Sequence, residues 1–193
     1  MRSAAMVLMA ITCAACRERP APTEERYADG SRKARGVWAP GDDGRRRVGQ
    51  WTFWYPNGQK KAEGDYAFGR DDGRLDELGI PVDGQRGEWL GWYENGQRAF
   101  AYRLDGDGRH VGLSQRWHKN GKLAVEASPP DRNGRIVVRQ WRADGTTWLE
   151  SSQDADGELD GNLVEWDGAG DVVRVETYEH GKPICRGKAC RAP

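Results

Sequence analysis

The densest set of ligand-type side chains is Asp154-Ala155-Asp156-Gly157-Glu158-Leu159-Asp160, followed by Asn162 and Glu165. Alternating oxygen donors, closed by an acid eleven residues after Asp154, suit a calcium loop, since that ion takes about six to eight oxygens. Two departures weigh against it: Leu159 stands where such a loop needs Gly, and Gly157 falls two residues early. The competing reading makes Asp156-Gly157 a plain turn. Asp154, Asp156, Glu158, Asp160 and Glu165 therefore stand as a calcium candidate; no other metal and no cofactor is expected. His110, His118 and His180 lie in no nucleophile motif, and the chain carries no Gly-x-Ser-x-Gly and no Gly-rich phosphate loop ending in Lys. Carboxylates are plentiful, but no pair is singled out for glycoside hydrolysis. The chain reads as non-enzymatic, with no catalytic residue.

Cysteine chemistry divides in two. Met1 to Cys16 opens with Arg2 and continues as a short apolar run ending in small residues. That run is shorter than the ~20 residues needed to cross a bilayer, so a removable targeting segment over residues 1–15 is expected, and with it export to the cell envelope. Thr12-Cys13-Ala14-Ala15-Cys16 resembles a bacterial lipoprotein signal, which implies lipid on Cys16 and a membrane anchor; Cys13 replaces the Leu usual in that family. The other two, Cys185 and Cys190, form a close pair expected to be a disulfide in an exported protein. Zinc held by His180, Cys185 and Cys190 is the sharper alternative, at looser spacing than structural zinc prefers.

Charge excludes some partners. Thirty basic and thirty acidic side chains leave no net field to draw the chain to nucleic acid or acidic lipid. Locally the balance breaks: from Glu150 to Asp171 there are eight acidic residues and no basic one. With 37% hydrophobic residues and 26 glycines, nine Trp and six Tyr must supply much of the burial, which suits a thin sheet.

These residues are positioned by a repeat. Trp51-Thr52-Phe53-Trp54-Tyr55-Pro56-Asn57-Gly58 recurs as Trp89-Leu90-Gly91-Trp92-Tyr93-Glu94-Asn95-Gly96 and as Trp117-His118-Lys119-Asn120-Gly121. Looser copies run Trp141 to Gly145 and Trp166 to Gly170, and Tyr27 to Gly30 is a degenerate first one. The glycines at 58, 96, 121, 145 and 170 give last steps of 25, 24 and 25 residues, the mark of an array. Asn-Gly signals a tight hairpin turn, with Asn57 and Gly58 both suited to the left-handed region. Second turns are expected at Gly69, Gly106, Gly134, Gly157 and Gly181. Two strands per unit predict successive antiparallel hairpins: an all-β, elongated, single-layer sheet over residues 27–183. Residues 16–26 read as a flexible spacer, about 70–86 as an insertion loop, and 184–193 as a tail with the Cys pair.

The pattern Gly-x-Trp-x-x-Trp-Tyr-x-Asn-Gly, complete at Gly49–Gly58 and Gly87–Gly96, resembles the bacterial variant of the MORN repeat. The resemblance implies stacked hairpins with no shared catalytic residues, in proteins often labelled antitoxins or surface lipoproteins. The hairpins are also similar to the cell-wall-binding repeats of surface enzymes, which implies a glycan held between aromatic faces. A protein partner, as scaffold or as neutralised toxin, and a wall glycan are the expected ligands. The column Trp54, Trp92, Trp117, Trp141 and Trp166, with Gly58, Gly96, Gly121, Gly145 and Gly170, is expected to be the structural spine. Alternation then puts Trp51 and Trp89 on the opposite face, where with Tyr55 and Tyr93 they are the expected binding residues.

Overall fold

The computed structural model describes residues 20–42, 44–70, 72–187 and 190. Cys13, Cys16 and the targeting segment over 1–15 lie outside the described residues. Among the described residues the strands are β1 (Thr23–Arg26), β2 (Arg32–Gly41), β3 (Gly44–Trp54), β4 (Lys60–Gly69), β5 (Gln85–Trp92), β6 (Arg98–Leu104), β7 (Ser114–Trp117), β8 (Leu123–Ala127), β9 (Ile136–Trp141), β10 (Thr147–Gln153), β11 (Leu159–Trp166), β12 (Val172–Glu179) and β13 (Lys182–Arg186). They form one sheet in chain order, every neighbouring pair antiparallel. It begins inside the stretch read as spacer, since Thr23 already pairs with Gly36.

The turns share one geometry. Gly58 N–H donates to the Tyr55 carbonyl and Tyr55 N–H to the Gln59 carbonyl, both at 2.9 Å. Only Gly58 takes a positive φ, 83°; Asn57 does not. This is the longer hairpin loop closed by a left-handed Gly, not the two-residue turn that Asn-Gly suggests. Asn57 instead accepts the Gln59 N–H on its side chain. The opposite edge of the sheet repeats this, as in Asp131–Arg135 and Asp154–Glu158. Two expected turns move. Gly108, not Gly106, is the left-handed residue after Asp105, and at the end of β4 the positive φ falls on Phe68 rather than Gly69.

A single row of paired residues crosses the sheet: Ala34, Phe53, Ala62, Gly91, Phe100, Arg116, Val125, Gln140, Leu149, Glu165, Arg174. Because side chains alternate, all of these share one face, with Trp51 and Trp89 two residues along. The excursion between β4 and β5 folds over this face, placing Ile80 in a core with Trp51, Phe53, Tyr66, Trp89 and Phe100. It is held by the Tyr66 hydroxyl, which donates to the Pro81 carbonyl, and by Asp76 Oδ1, which accepts from Leu78 and Ile80. Burial keeps the Tyr66 hydroxyl and the Asp76 carboxyl protonated to higher pH than usual.

The expected assignment of faces is thus reversed. Trp51 and Trp89 are 0% exposed and form the core, so they are not binding residues. Trp54, Trp92, Trp117, Trp141 and Trp166 are only partly buried. Recurrence in every copy marks the register, whereas burial depends on where a non-repeated excursion lands.

The core tryptophans explain two glycines. A Cβ on Gly36 would meet Trp51 ring carbons at 2.1 Å, and one on Gly64 would meet Trp89 at 2.2 Å. Each ring lies flat across the Gly of the preceding hairpin. Further along, the same two register positions hold Ala127 opposite Val138 and Ser151 opposite Leu163. Small faces large at each step, which keeps strand neighbours packed at constant volume.

Candidate docking surface

On the face away from the excursion, the Trp column alternates with cations contributed by the strand between. Arg32 lies over Trp54 at 5.0 Å, Lys60 over Trp92 at 5.3 Å, and Arg98 over both Trp92 and Trp117 at 5.4 and 5.9 Å. Lys60 and Arg98 stand six residues after Trp54 and Trp92 and reach the Trp of the next copy; Arg32 holds the same register after the degenerate first copy. Ring quadrupole and cation attract, and the aliphatic stems shield the indoles.

The residue that opens each of the first five repeat turns points to the other face and couples copies through the backbone. Tyr27 Oη donates to the Trp54 carbonyl at 2.8 Å, Tyr55 to Trp92 at 2.9 Å and Tyr93 to Trp117 at 2.7 Å. His118 and Arg142 take over the role toward the carbonyls of Trp141 and Trp166. Burial, reinforced by Glu94, pushes the Tyr55 hydroxyl up to about 12, so it remains a donor. Tyr55 and Tyr93, expected as binding residues, are committed to this ladder. The turn Asn adds a second rung: Asn95 Nδ2 donates to the Lys119 carbonyl and Asn120 Nδ2 to the Ala143 carbonyl, both at 2.7 Å. An Asp has no such donor, so Asp144 keeps only the within-turn bond to Thr146.

The acidic residues are used the same way. Asp105, Asp131 and Asp144 accept backbone N–H groups of their own turns, which hold their carboxyls below the ordinary range. The calcium candidate does not assemble: Asp154 Oδ1 caps its turn through Asp156 and Glu158, Asp160 pairs with Arg135 at 3.1 Å, and Glu165 accepts from Trp148. No group of metal-ligating side chains forms among the described residues. Cys185 and Cys190 are joined as a disulfide, their Cα atoms 5.8 Å apart, so neither thiolate is available to zinc.

Beyond the excursion, the core-bearing face is uncovered. A groove of about 240 Å³ lies there, lined by Tyr102, Ser114, Val125, Ala127, Ile136 and Val138 among others. His110 sits at its edge, 5.0 Å from the Tyr102 ring, with Ser114 Oγ 3.2 Å from its Nδ1. Burial and Arg116 lower the His110 pKa. Sequence reasoning missed this groove because, apart from Gly112, its lining residues stand at variable positions of the repeat.

Residues 47–67 and 111–128 match the MORN repeat variant family. The first match covers the β3–β4 hairpin and the second the β7–β8 hairpin. No curated protein matches the chain.

Proposed function

We propose that the protein is an exported, lipid-anchored, non-enzymatic repeat sheet that docks a protein partner. The observation that carries this reading is the face that leaves the excursion at β6 and continues across β7 to β10 as a largely apolar open groove. The ionisable side chains of the turns cap their own backbones, and the matched repeat is of a type without shared catalytic residues. A wall-glycan role loses the aromatic pair it relied on, because Trp51 and Trp89 are enclosed. Export and anchoring rest on Cys16 and the small residues before it.

The test places a photo-cross-linker at Gln140, on that face in register with Val125 and Leu149, in the full chain expressed in its native envelope. One defined protein adduct is expected, lost when Val138→Asp is added. Adducts to wall polymer, or none, would overturn docking of a protein. In the same cells Cys16→Ser should accumulate as precursor or leave the membrane fraction; normal mature mass in that fraction would remove the anchor.

A further inference from the structure

Among the described residues the Trp–cation ladder stops at Trp117, leaving Trp141 and Trp166 without a cation, and at Trp166 a groove is open. After the first turn only Arg32 reaches the next copy, and nothing comes within 4 Å of a Gly58 Cβ; in the two copies that follow, two adjacent residues reach over the next copy. Gln59 and Lys60 extend over Gly96 and Trp92. Gln97 and Arg98 extend over Gly121 and Trp117. In the next copy Lys122 still lies against Gly145, and the apolar Leu123 takes the cation's place. In the fourth both positions are cut short, to Thr146 and Thr147. Nothing then comes within 4 Å of where a Gly170 Cβ would stand. A groove of about 490 Å³ opens at that point, lined by Thr146, Thr147, Trp166, Gly168, Ala169 and Gly170.

The chain around this groove is rich in carboxylates, with Lys122 and Arg142 as the cations bonded into its turns. Between residues 143 and 173 there are nine acidic side chains and no basic one, and Asp144, Asp167 and Asp171 stand on the two turns flanking it. The turn hydrogen bonds from Thr146 keep Asp144 ionised well below the ordinary carboxylate range. The basic side chains bonded into these turns face backbone oxygens: Lys122 donates to the Asp144 carbonyl, and Arg142 to those of Trp166 and Asp167.

We infer that this groove takes a lysine or arginine side chain from an extended basic segment of a protein partner, laid over Trp166 as Lys60 lies over Trp92. Among the described residues the chain lays its own cation over Trp54, Trp92 and Trp117; at Trp141 Leu123 stands in that register position, and at Trp166 the short Thr147 leaves it open. A Trp face, acidic turns and room for an unbranched stem select a cation on a flexible chain. The inference deepens the docking reading by naming the partner's chemistry, and it places that contact on the opposite face from the Gln140 groove.

The experiment titrates full-length protein with an alternating Lys-Gly decapeptide, followed by indole N–H resonances. Saturable binding that shifts the Trp166 signal and weakens with salt is expected. Thr147→Lys restores the chain's own cation at the register position of Lys60 and Arg98, and should weaken binding by about tenfold or more. Ala155→Lys adds the same charge at a turn on the other edge of the sheet and should change affinity less than about twofold. Equal weakening by the two lysines would show diffuse attraction and overturn the site, as would unaltered binding to Thr147→Lys or no binding by the wild type. Thermal unfolding of each variant verifies the fold. If cross-linking at Gln140 captures a partner while the peptide fails, this inference alone falls; if the peptide binds while no partner is captured, the groove stands and the wider docking role falls.

Discussion

Gly64→Ala tests the idea that ring size and backbone smoothness are matched between neighbouring hairpins. Gly64 has no positive φ, so alanine meets no backbone strain there. Its methyl would lie 2.2, 2.3 and 2.7 Å from three Trp89 ring carbons. The ring cannot retreat, since it is fully buried and stacks edge-on against Tyr66 at 5.0 Å. Overpacking of this kind costs about 2–3 kcal/mol, outweighing the ~0.5–1 kcal/mol by which Ala is otherwise preferred to Gly within a strand. Trp89→Val alone leaves a void and should cost about 3–4 kcal/mol. Combined, the two reproduce the Ala127–Val138 pairing found further along. The double variant should therefore be more stable than the sum predicts by at least about 1 kcal/mol. Urea midpoints by far-UV circular dichroism decide it, a 2 kcal/mol loss being about a 1 M shift. Strict additivity, or a Gly64→Ala variant as stable as wild type, would refute the packing argument.

Three further outcomes follow from the same geometry. Asn120→Asp keeps the turn bond to Lys122 but loses the 2.7 Å donation to the Ala143 carbonyl, and should cost about 0.5–1.5 kcal/mol in urea unfolding. Asp76, whose carboxyl is raised chiefly by burial, holds its proton to higher pH when folded than unfolded. Its contribution to stability therefore declines as pH rises from the ordinary carboxylate value through the folded one. Asp76→Asn should be more stable than wild type at neutral pH, and the two curves should converge in acid; wild type remaining the more stable at pH 7 would contradict the burial account. Reducing Cys185–Cys190, five residues apart in sequence, opens a short loop and should lower stability by no more than about 2 kcal/mol.

The hairpin array was legible because its signals are local. A Trp four residues before a left-handed Gly, repeated near every 25 residues, forces the turns into line, and strand alternation then orders the sheet. The Cys pair was legible for the same reason. Which face became core was not. That depended on residues 70–84, whose one deeply buried apolar anchor, Ile80, looks like any loop residue in sequence. The calcium pattern misled because Asp at the first turn position is demanded by the backbone itself: Asp105, Asp131, Asp154 and Asp167 all accept the N–H four residues on. The gap over Trp166 was readable in principle, as Thr146-Thr147 where two earlier copies place Gln59-Lys60 and Gln97-Arg98, but only with knowledge of which register position touches the next copy.

The erosion of the signature along the chain is itself informative about how such a sheet divides labour. A hairpin cannot bury its apolar face alone and draws stability from its neighbours. The front copies meet that need fully: two enclosed tryptophans, a covering excursion, Asn rungs and an internal cation on each ring. The later copies keep what holds strand to strand, namely the small-against-large pairs and a donor from His118 or Arg142 to the next Trp carbonyl. They drop what shields the surfaces. If these losses were indifferent drift, the small-against-large pairing should have decayed along with the outward positions. Instead Ala127–Val138 and Ser151–Leu163 persist while Thr147 replaces a group that covers Trp and Asp144 one that bridges turns. Retained cohesion with exposed, acidic, aromatic surface is the combination a rigid docking platform requires, with the packed front half supplying the stability that the open half does not generate for itself.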